Sequence, residues 1–379
     1  MPDVLIVADS IRSASLRHEV PLAVPDPIAY LEHDGASHVV APSMEIVRIR
    51  EAAPEIEAHP WEEFGIDELY AEGKTAEEAQ LEILLRACRQ VGLEQAVVPK
   101  DFPLQEADFL RGYGIGLSVD SAYFADRRRV KSEPELAGIR RAQRAAEAGM
   151  TAGLDLLRRA AANGSGLTVD GEPLTCELIK LHVERAFGEH GAAADEFIAS
   201  HGAQTAIGHD MGSGRIEPGD IVLFDFFPRD RGSGCFADMT RTFVVAGEPD
   251  HELREFHRLS KEALGLCVDA IKPGLTGKEL HRLVCDFFAD NGQPTQLHKT
   301  PGEVLDRGFY HATGHGVGLE VHERPGIGRA GEAFVAGDVL AIEPGLYRPG
   351  FGGVRLEDLI LVTEGGCEVL TEFPYELEL

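Results

Sequence analysis

The chain of 379 residues carries 64 acidic against 36 basic side chains, a formal net charge of −28. Such a surface repels both nucleic acid and anionic membrane, so neither is expected as a partner. The length and the ordinary share of apolar and charged residues fit a globular chain of two domains better than one.

The N-terminus, Met1-Pro2-Asp3-Val4-Leu5-Ile6, has no basic leader, and no apolar run approaches the roughly 20 residues that span a bilayer. A cytoplasmic protein is therefore expected. Six scattered cysteines without a CxxC pair (Cys88, Cys176, Cys235, Cys267, Cys285, Cys367) read as reduced, mostly buried thiols. In the first third, Val4–Val7, His38–Ala41 and Ala96–Val98 read as strands. Thr75-Ala-Glu-Glu78 is a capping box, opening a helix with Leu81, Leu84, Leu85 and Cys88 on one face and Gly92 at its end. The alternation predicts an α/β domain over residues 1–130. No histidine, cysteine or acidic cluster with metal-ligand spacing is expected there.

Arg127-Arg128-Arg129-Val130-Lys131 is a basic run in an acidic chain. It reads as a solvated inter-domain linker in preference to an anion site. A second capping box, Ser132-Glu-Pro-Glu135, opens a helix carrying Leu136, Ile139, Ala142, Ala146, Met150, Leu154 and Leu157. The second domain is expected to be residues 131–379. Within it Leu174, Thr175, Ile179, Val183, Phe187 and Gly191 match Leu275, Thr276, Leu280, Val284, Phe288 and Gly292 about a hundred residues later. Each set describes a helix opened by Thr and closed at Gly. A strand segment follows each, at Glu196–Ser200 and Val339–Ile342. This predicts a duplicated α+β half-domain whose halves face each other across one sheet, with a site drawing on both.

Gly219-Asp-Ile-Val-Leu-Phe-Asp225-Phe-Phe227 is an apolar strand holding a carboxylate, costly to bury unless it is paired or metal-bound. After a turn, Cys235-Phe-Ala-Asp238-Met-Thr240-Arg-Thr242 reads as the returning strand. In a hairpin Asp225 and Asp238 can share a face, with Thr240 and Thr242 alongside. Glu343 and Glu357 sit in similar apolar strands. Three histidines, His311, His315 and His322, lie within twelve positions among small residues expected to let the backbone pass close to the site. Four buried carboxylates repel one another unless about two divalent cations cancel their charge. An oxygen-rich set with one imidazole suits Mn²⁺, Co²⁺ or Fe²⁺. Two such ions roughly 3.5–4 Å apart can share a hydroxide and polarise a carbonyl, which points to amide hydrolysis.

The order Asp225, Asp238, His315, Glu343, Glu357 resembles the pita-bread metallopeptidases, the family of Xaa-Pro aminopeptidases, prolidases and methionine aminopeptidases. Four stretches carry the resemblance: Asp238-Met-Thr-Arg-Thr-Phe243, Gly314-His315-Gly-Val-Gly-Leu-Glu-Val-His322-Glu323, Ile342-Glu343-Pro-Gly-Leu346 and Arg355-Leu-Glu357-Asp358. It covers the second domain and is loose over the first. It implies a pita-bread catalytic domain with a pseudo-twofold repeat behind a smaller N-terminal domain. It also implies a dinuclear centre (Mn²⁺ foremost, with Co²⁺, Fe²⁺ or Zn²⁺ as alternatives) held by Asp225, Asp238, His315, Glu343 and Glu357, with Asp238 and Glu357 bridging.

By the same resemblance Glu343 passes a proton between water and the leaving amine, His322 contacts the scissile carbonyl, and His209 helps stabilise the oxyanion. His311 lines the proline subsite, and Arg355 marks the proline-specific branch. The implied reaction is hydrolysis of Xaa-Pro bonds by a metal-bridging hydroxide, in dipeptides or at peptide N-termini. The implied assembly is a homodimer in which the N-terminal domain of one subunit helps close the other's site. The turn Pro228–Gly234 departs from the pattern by two extra residues, and its Arg229 and Arg231 are read as solvated charges in preference to a carboxylate clamp. Two other readings remain: a hydrolase of non-peptide amides or amidines on the same fold, and a non-catalytic peptide-binding relative.

Overall fold

The computed structural model describes residues 2–162 and 166–379; Met1, where the expected first domain begins, lies outside them. Two compact units make up the chain: Met1–Arg128 with Gly232–Gly234, and Arg129–Arg231 with Cys235–Leu379.

The first unit is built on a six-stranded sheet, in the order Glu57–Pro60, Ala36–Ala41, Ile28–His33, Val4–Ala8, Gln95–Val98, Gly116–Val119. Residues alternate between its faces. Leu5, Leu31 and Val40 pack with Ile83, Leu84 and Cys88 on one side, and Val4, Ile6 and Val39 pack with Leu16, Ile46 and Phe124 on the other. The expected strands are present, and the helix Ala76–Val91 begins at the Thr75–Glu78 capping box and ends at Gly92 in the left-handed region. Ile28–His33, Glu57–Pro60 and Gly116–Val119 were not expected as strands; each gets its regularity from its neighbours in the sheet.

One expectation for this unit fails. His38, Glu57 and His59 do converge, each offering a ligand atom within 4.8 Å of the others. Sequence spacing hides them because parallel pairing of two strands sets His38 opposite Glu57 and Val40 opposite His59.

The basic run is not a solvated linker. Within the first unit Arg127 donates to Glu19 at 2.7 and 2.9 Å and to Glu32 at 2.9 Å. Within the second, Arg129 makes a two-pronged bond to Asp338 (3.0 and 2.7 Å), and Lys131 pairs with Glu323. A cation that finds an acid in its own domain is held there.

In the second unit the helix Glu133–Arg159 starts at the Ser132–Glu135 capping box. The repeat is structural: Thr175 caps Cys176–Glu189 and Thr276 caps Gly277–Asp290, and Gly191 and Gly292 follow them with φ of +73° and +76°. The expected single sheet is instead divided. Ile198–His201, Ile221–Phe226 and Met239–Val244 form a three-stranded sheet. Gly314–Gly316, Glu323–Ile327, Val339–Ile342, Asp358–Thr363 and Gly366–Val369 form a five-stranded one, with Gly345–Arg348 and Gly352–Arg355 pairing separately.

At the seam the Glu357 N–H donates to the Thr240 carbonyl at 3.1 Å. Arg241, fully buried, ties the seam from the other face of its strand. It donates to the Glu357 carbonyl (2.7 Å), the Asp358 carboxylate (2.9 Å) and the carbonyls of Thr240, Phe373 and Pro374. The Tyr375 ring lies 4.4 Å beneath the guanidinium. Replacing one partner of such a buried ion pair strands the other charge. Arg241→Met should therefore lower unfolding stability by about 3–5 kcal/mol in chemical denaturation; a loss under ~1 kcal/mol, as for an exposed pair, would contradict this role.

Candidate active site

The seam gathers the carboxylates. Asp225 sits inside its strand, opposite Thr240. Here the expectation that all four acids lie within strands is corrected: Asp238 precedes Met239–Val244, Glu343 follows Val339–Ile342, and Glu357 falls between Gly352–Arg355 and Asp358–Thr363. The reason is anchoring. Where a strand stops, its N–H groups leave the ladder and bond elsewhere, as Glu357 does to Thr240 and Glu343 to the Thr313 carbonyl at 2.9 Å. Those bonds turn the acids into the seam.

Asp238, His315 and Glu357 each bring a ligand atom within 4.8 Å of the other two. His315 Nε2 lies 3.7 Å from Asp238 Oδ2 and 4.0 Å from Glu343 Oε1. Its Nδ1–H donates to the Gly316 carbonyl at 3.1 Å, leaving the Nε2 lone pair facing the acids. Burial holds this imidazole neutral by lowering its pKa to about 4. The acids move the opposite way. Burial pushes Glu343 up to about 7. Burial, followed by the charge of neighbouring carboxylates, raises Asp238 and Glu357 well above their usual range.

Arg355 is the cation among them. It pairs with Asp225 Oδ2, donates through Nε to Thr240 Oγ1 at 3.2 Å and through Nη1 to the Tyr347 hydroxyl at 3.3 Å. Thr240 in turn donates to Glu357 Oε2 at 2.6 Å. The Tyr347 hydroxyl donates a hydrogen bond to His311 Nε2, 2.9 Å away, and His311 Nδ1–H donates to the Ala312 carbonyl at 2.7 Å. Both nitrogens of His311 are thus engaged, and desolvation lowers its pKa to about 3, so the neutral ring acts as a wall beside Phe309, Tyr310 and Tyr347.

His322 lies on the exposed rim, its ring centroid 4.1 Å from that of His315, and desolvation lowers its pKa. His209 occupies an exposed turn near both His322 and His311.

Every residue expected at the site therefore falls at or near this seam. Sequence reasoning missed Tyr347, whose only signal is its place four residues after Glu343 in the neighbouring strand. The small residues of the histidine stretch play a different part from the one expected. A Cβ on Gly314 would stand 1.9 Å from the Ala341 carbonyl oxygen, so glycine is needed to pack adjacent strands. Arg229 lies 5.7 Å over the Phe236 ring, a packed position unlike the solvated one expected, and Arg231 is exposed.

A family model described as metallopeptidase family M24 matches residues 137–364. The chain belongs to metallopeptidase family M24. Over 192 residues this M24 chain is 40% identical to a Xaa-Pro dipeptidase of Pyrococcus furiosus, covering 50% of this chain and 51% of the relative. It spans about half the length of the first curated relatives it matches. The whole chain superposes on a prolidase from Pyrococcus horikoshii OT3 with a TM-score of 0.75 and 26% identity, covering 95% of that chain. An X-Pro aminopeptidase from Thermotoga maritima MSB8 gives 0.79 at 22% identity, with 99% and 97% covered. The fold is accordingly the pita-bread fold, with a smaller N-terminal α/β domain.

M24 membership implies divalent metal ions, and the seam fits them on its own evidence. Asp225 Oδ1 and Asp238 Oδ1 are buried without a hydrogen-bond partner among the described residues. Acceptors left bare beside a neutral imidazole and two further acids call for a cation.

The raised acids set a pH dependence. Glu343 keeps its proton in the fold up to about pH 7, whereas in the unfolded chain it ionises near its ordinary 4.5. Protein stripped by chelator should therefore hold its full stability below pH ~4.5 and lose it as pH rises through about 7, because the unfolded state then sheds protons the fold retains. Asp238 and Glu357 act in the same direction. Melting temperatures of stripped protein should fall between about pH 5 and pH 8, and added Mn²⁺ should remove the fall; a metal-free melting temperature that rises across this window would contradict the assignment.

Proposed function

We propose that the chain hydrolyses Xaa-Pro bonds in a metal-dependent reaction, as a dipeptidase or an aminopeptidase. The observation that carries this reading is the convergence of Asp238, His315 and Glu357, with Asp225 and Glu343 adjoining, around carboxylate oxygens that no donor satisfies. These five side chains are the proposed ligands of two divalent ions. Mn²⁺ is the proposed ion, with Co²⁺, Fe²⁺ and Zn²⁺ as alternatives, because the donor set is rich in carboxylate oxygen. Ions held there supply Lewis acidity toward a carbonyl oxygen and toward water.

The remaining roles belong to the chain's own groups. Glu343, with its carboxyl near neutrality, takes the proton from the attacking water and hands it to the leaving amine. His322 and His209, at the exposed rim, orient the scissile carbonyl and stabilise the developing oxyanion. The neutral His311, packed among Phe309, Tyr310 and Tyr347, offers an apolar wall suited to a proline ring. Arg355 and Tyr347 hold Asp225 and His311 in one hydrogen-bonded chain, so the metal side and the proline side are positioned together. The dipeptidase of Pyrococcus furiosus that this chain resembles supports the substrate class. A homodimer in the cytoplasm completes the proposal; the free thiols, five of six buried, support a reducing compartment, and no helix among the described residues is long and apolar enough to cross a membrane.

Two measurements test this. Glu343→Gln should leave substrate affinity nearly unchanged and lower turnover by at least about 10²-fold, the scale of a lost acid–base group; near wild-type turnover would remove Glu343 from the reaction. With Mn²⁺ present, release of proline from Ala-Pro, or of alanine from Ala-Pro-Ala, should be detected. Cleavage of neither, alongside cleavage of an N-acyl amide or amidine, would replace the peptidase reading with the non-peptide one.

A further inference from the structure

The edge of the N-terminal sheet holds a second constellation of metal-ligating side chains. The strand Glu57–Pro60 is the outermost of six and pairs in parallel with Ala36–Ala41. His38 stands opposite Glu57, and His59, two residues on, shares their face. His38 Nδ1 lies 3.3 Å from His59 Nε2, Glu57 Oε2 lies 3.5 Å from His38 Nδ1, and Glu57 Oε2 lies 3.9 Å from His59 Nε2.

Those separations have a chemical meaning. Ligand atoms about 2.0–2.1 Å from a tetrahedral Zn²⁺ stand about 3.3–3.4 Å apart along the edges of the tetrahedron. Two of the three edges are already within about 0.2 Å of that value, and the third closes by a small rotation of Glu57, whose side chain is 68% exposed. A second observation points the same way. His59 Nδ1 faces Glu63 Oε2 at 2.8 Å. A carboxylate behind the far nitrogen of an imidazole is the arrangement that fixes a metal-ligating histidine, because it puts the proton on Nδ1 and the lone pair of Nε2 into the site.

We propose that His38, Glu57 and His59 form a zinc site with the fourth position open to solvent, and that Glu63 positions His59. Two imidazoles and one carboxylate suit Zn²⁺. The bound ion would clamp the edge strand to its neighbour, protecting an edge that is otherwise held by hydrogen bonds along one side alone.

The test is metal content of the full chain after incubation with Zn²⁺ and exhaustive dialysis. Wild type should carry one Zn²⁺ per chain more than His59→Gln. That difference does not depend on how many ions the second unit holds, so it stands or falls apart from the Xaa-Pro reading. Chelator competition should place the affinity of Glu63→Gln about 10–100-fold below wild type at this one site, as for other lost partners of ligating histidines. Should His59→Gln fail to fold, Glu57→Ala alters an exposed side chain and should weaken the same site. Equal zinc content in wild type and His59→Gln, or unchanged affinity in Glu57→Ala, would overturn the proposal and leave a hydrogen-bonded histidine pair.

Discussion

Several carboxylates buried at one seam repel one another, and the second unit is arranged around holding them there. Asp225, Asp238, Glu343 and Glu357 come from four segments that are distant in sequence. Each would move toward solvent or take up a proton unless it were tied down. Arg355 supplies a charge among them, and Thr240 links Arg355 to Glu357 through one hydroxyl. From the opposite face of the same strand Arg241 bonds the Glu357 carbonyl and Asp358, fixing the backbone that carries the acid. Alternation along one strand thus gives Thr240 to the site and Arg241 to its support. The cost of burying Asp238, Glu343 and Glu357 is carried as raised pKa values, and that cost is what makes the seam receptive to cations.

The histidines answer the same low-polarity surroundings in the opposite sense. Burial lowers the pKa of His311, His315 and His322, so the rings are neutral where the acids resist ionising. A neutral imidazole does one of two things, according to which nitrogens are free. His315 has Nδ1 engaged by its own strand and presents Nε2 to Asp238. His311 has both nitrogens engaged and presents a ring. Two residues of one type in one short stretch therefore differ in capacity because of their hydrogen bonds, not because of their spacing.

The two units treat metal-ligating side chains differently. In the second the candidate ligands come from several elements, with Asp238, Glu343 and Glu357 at breaks between strands and Asp225 and His315 within them. In the first, His38, Glu57 and His59 lie on two adjacent strands of a regular sheet, and pairing register alone brings them together. The first kind of site leaves local signatures, because an acid within an apolar run stands out. The second leaves none, since histidine and glutamate on an edge strand resemble any polar edge.

Local signals were legible in the residues alone. The capping boxes at Thr75 and Ser132, the repeated Thr-capped helices ending before Gly191 and Gly292, and the apolar strand around Asp225 all depend on interactions within a few positions. So were the identities gathered at the seam, because carboxylates in apolar settings are conspicuous wherever they fall. Tertiary structure decided what depends on distant pairing. It divided the expected single sheet into separate ones, placed Glu343 and Glu357 at strand breaks, and gave Tyr347 its bonds to His311 and Arg355. It drew the basic run into separate ion pairs and set His38 beside Glu57 and His59. Sequence carries the chemistry of each side chain, but strand register and hydrogen-bond partners across the chain determine which of those chemistries meet.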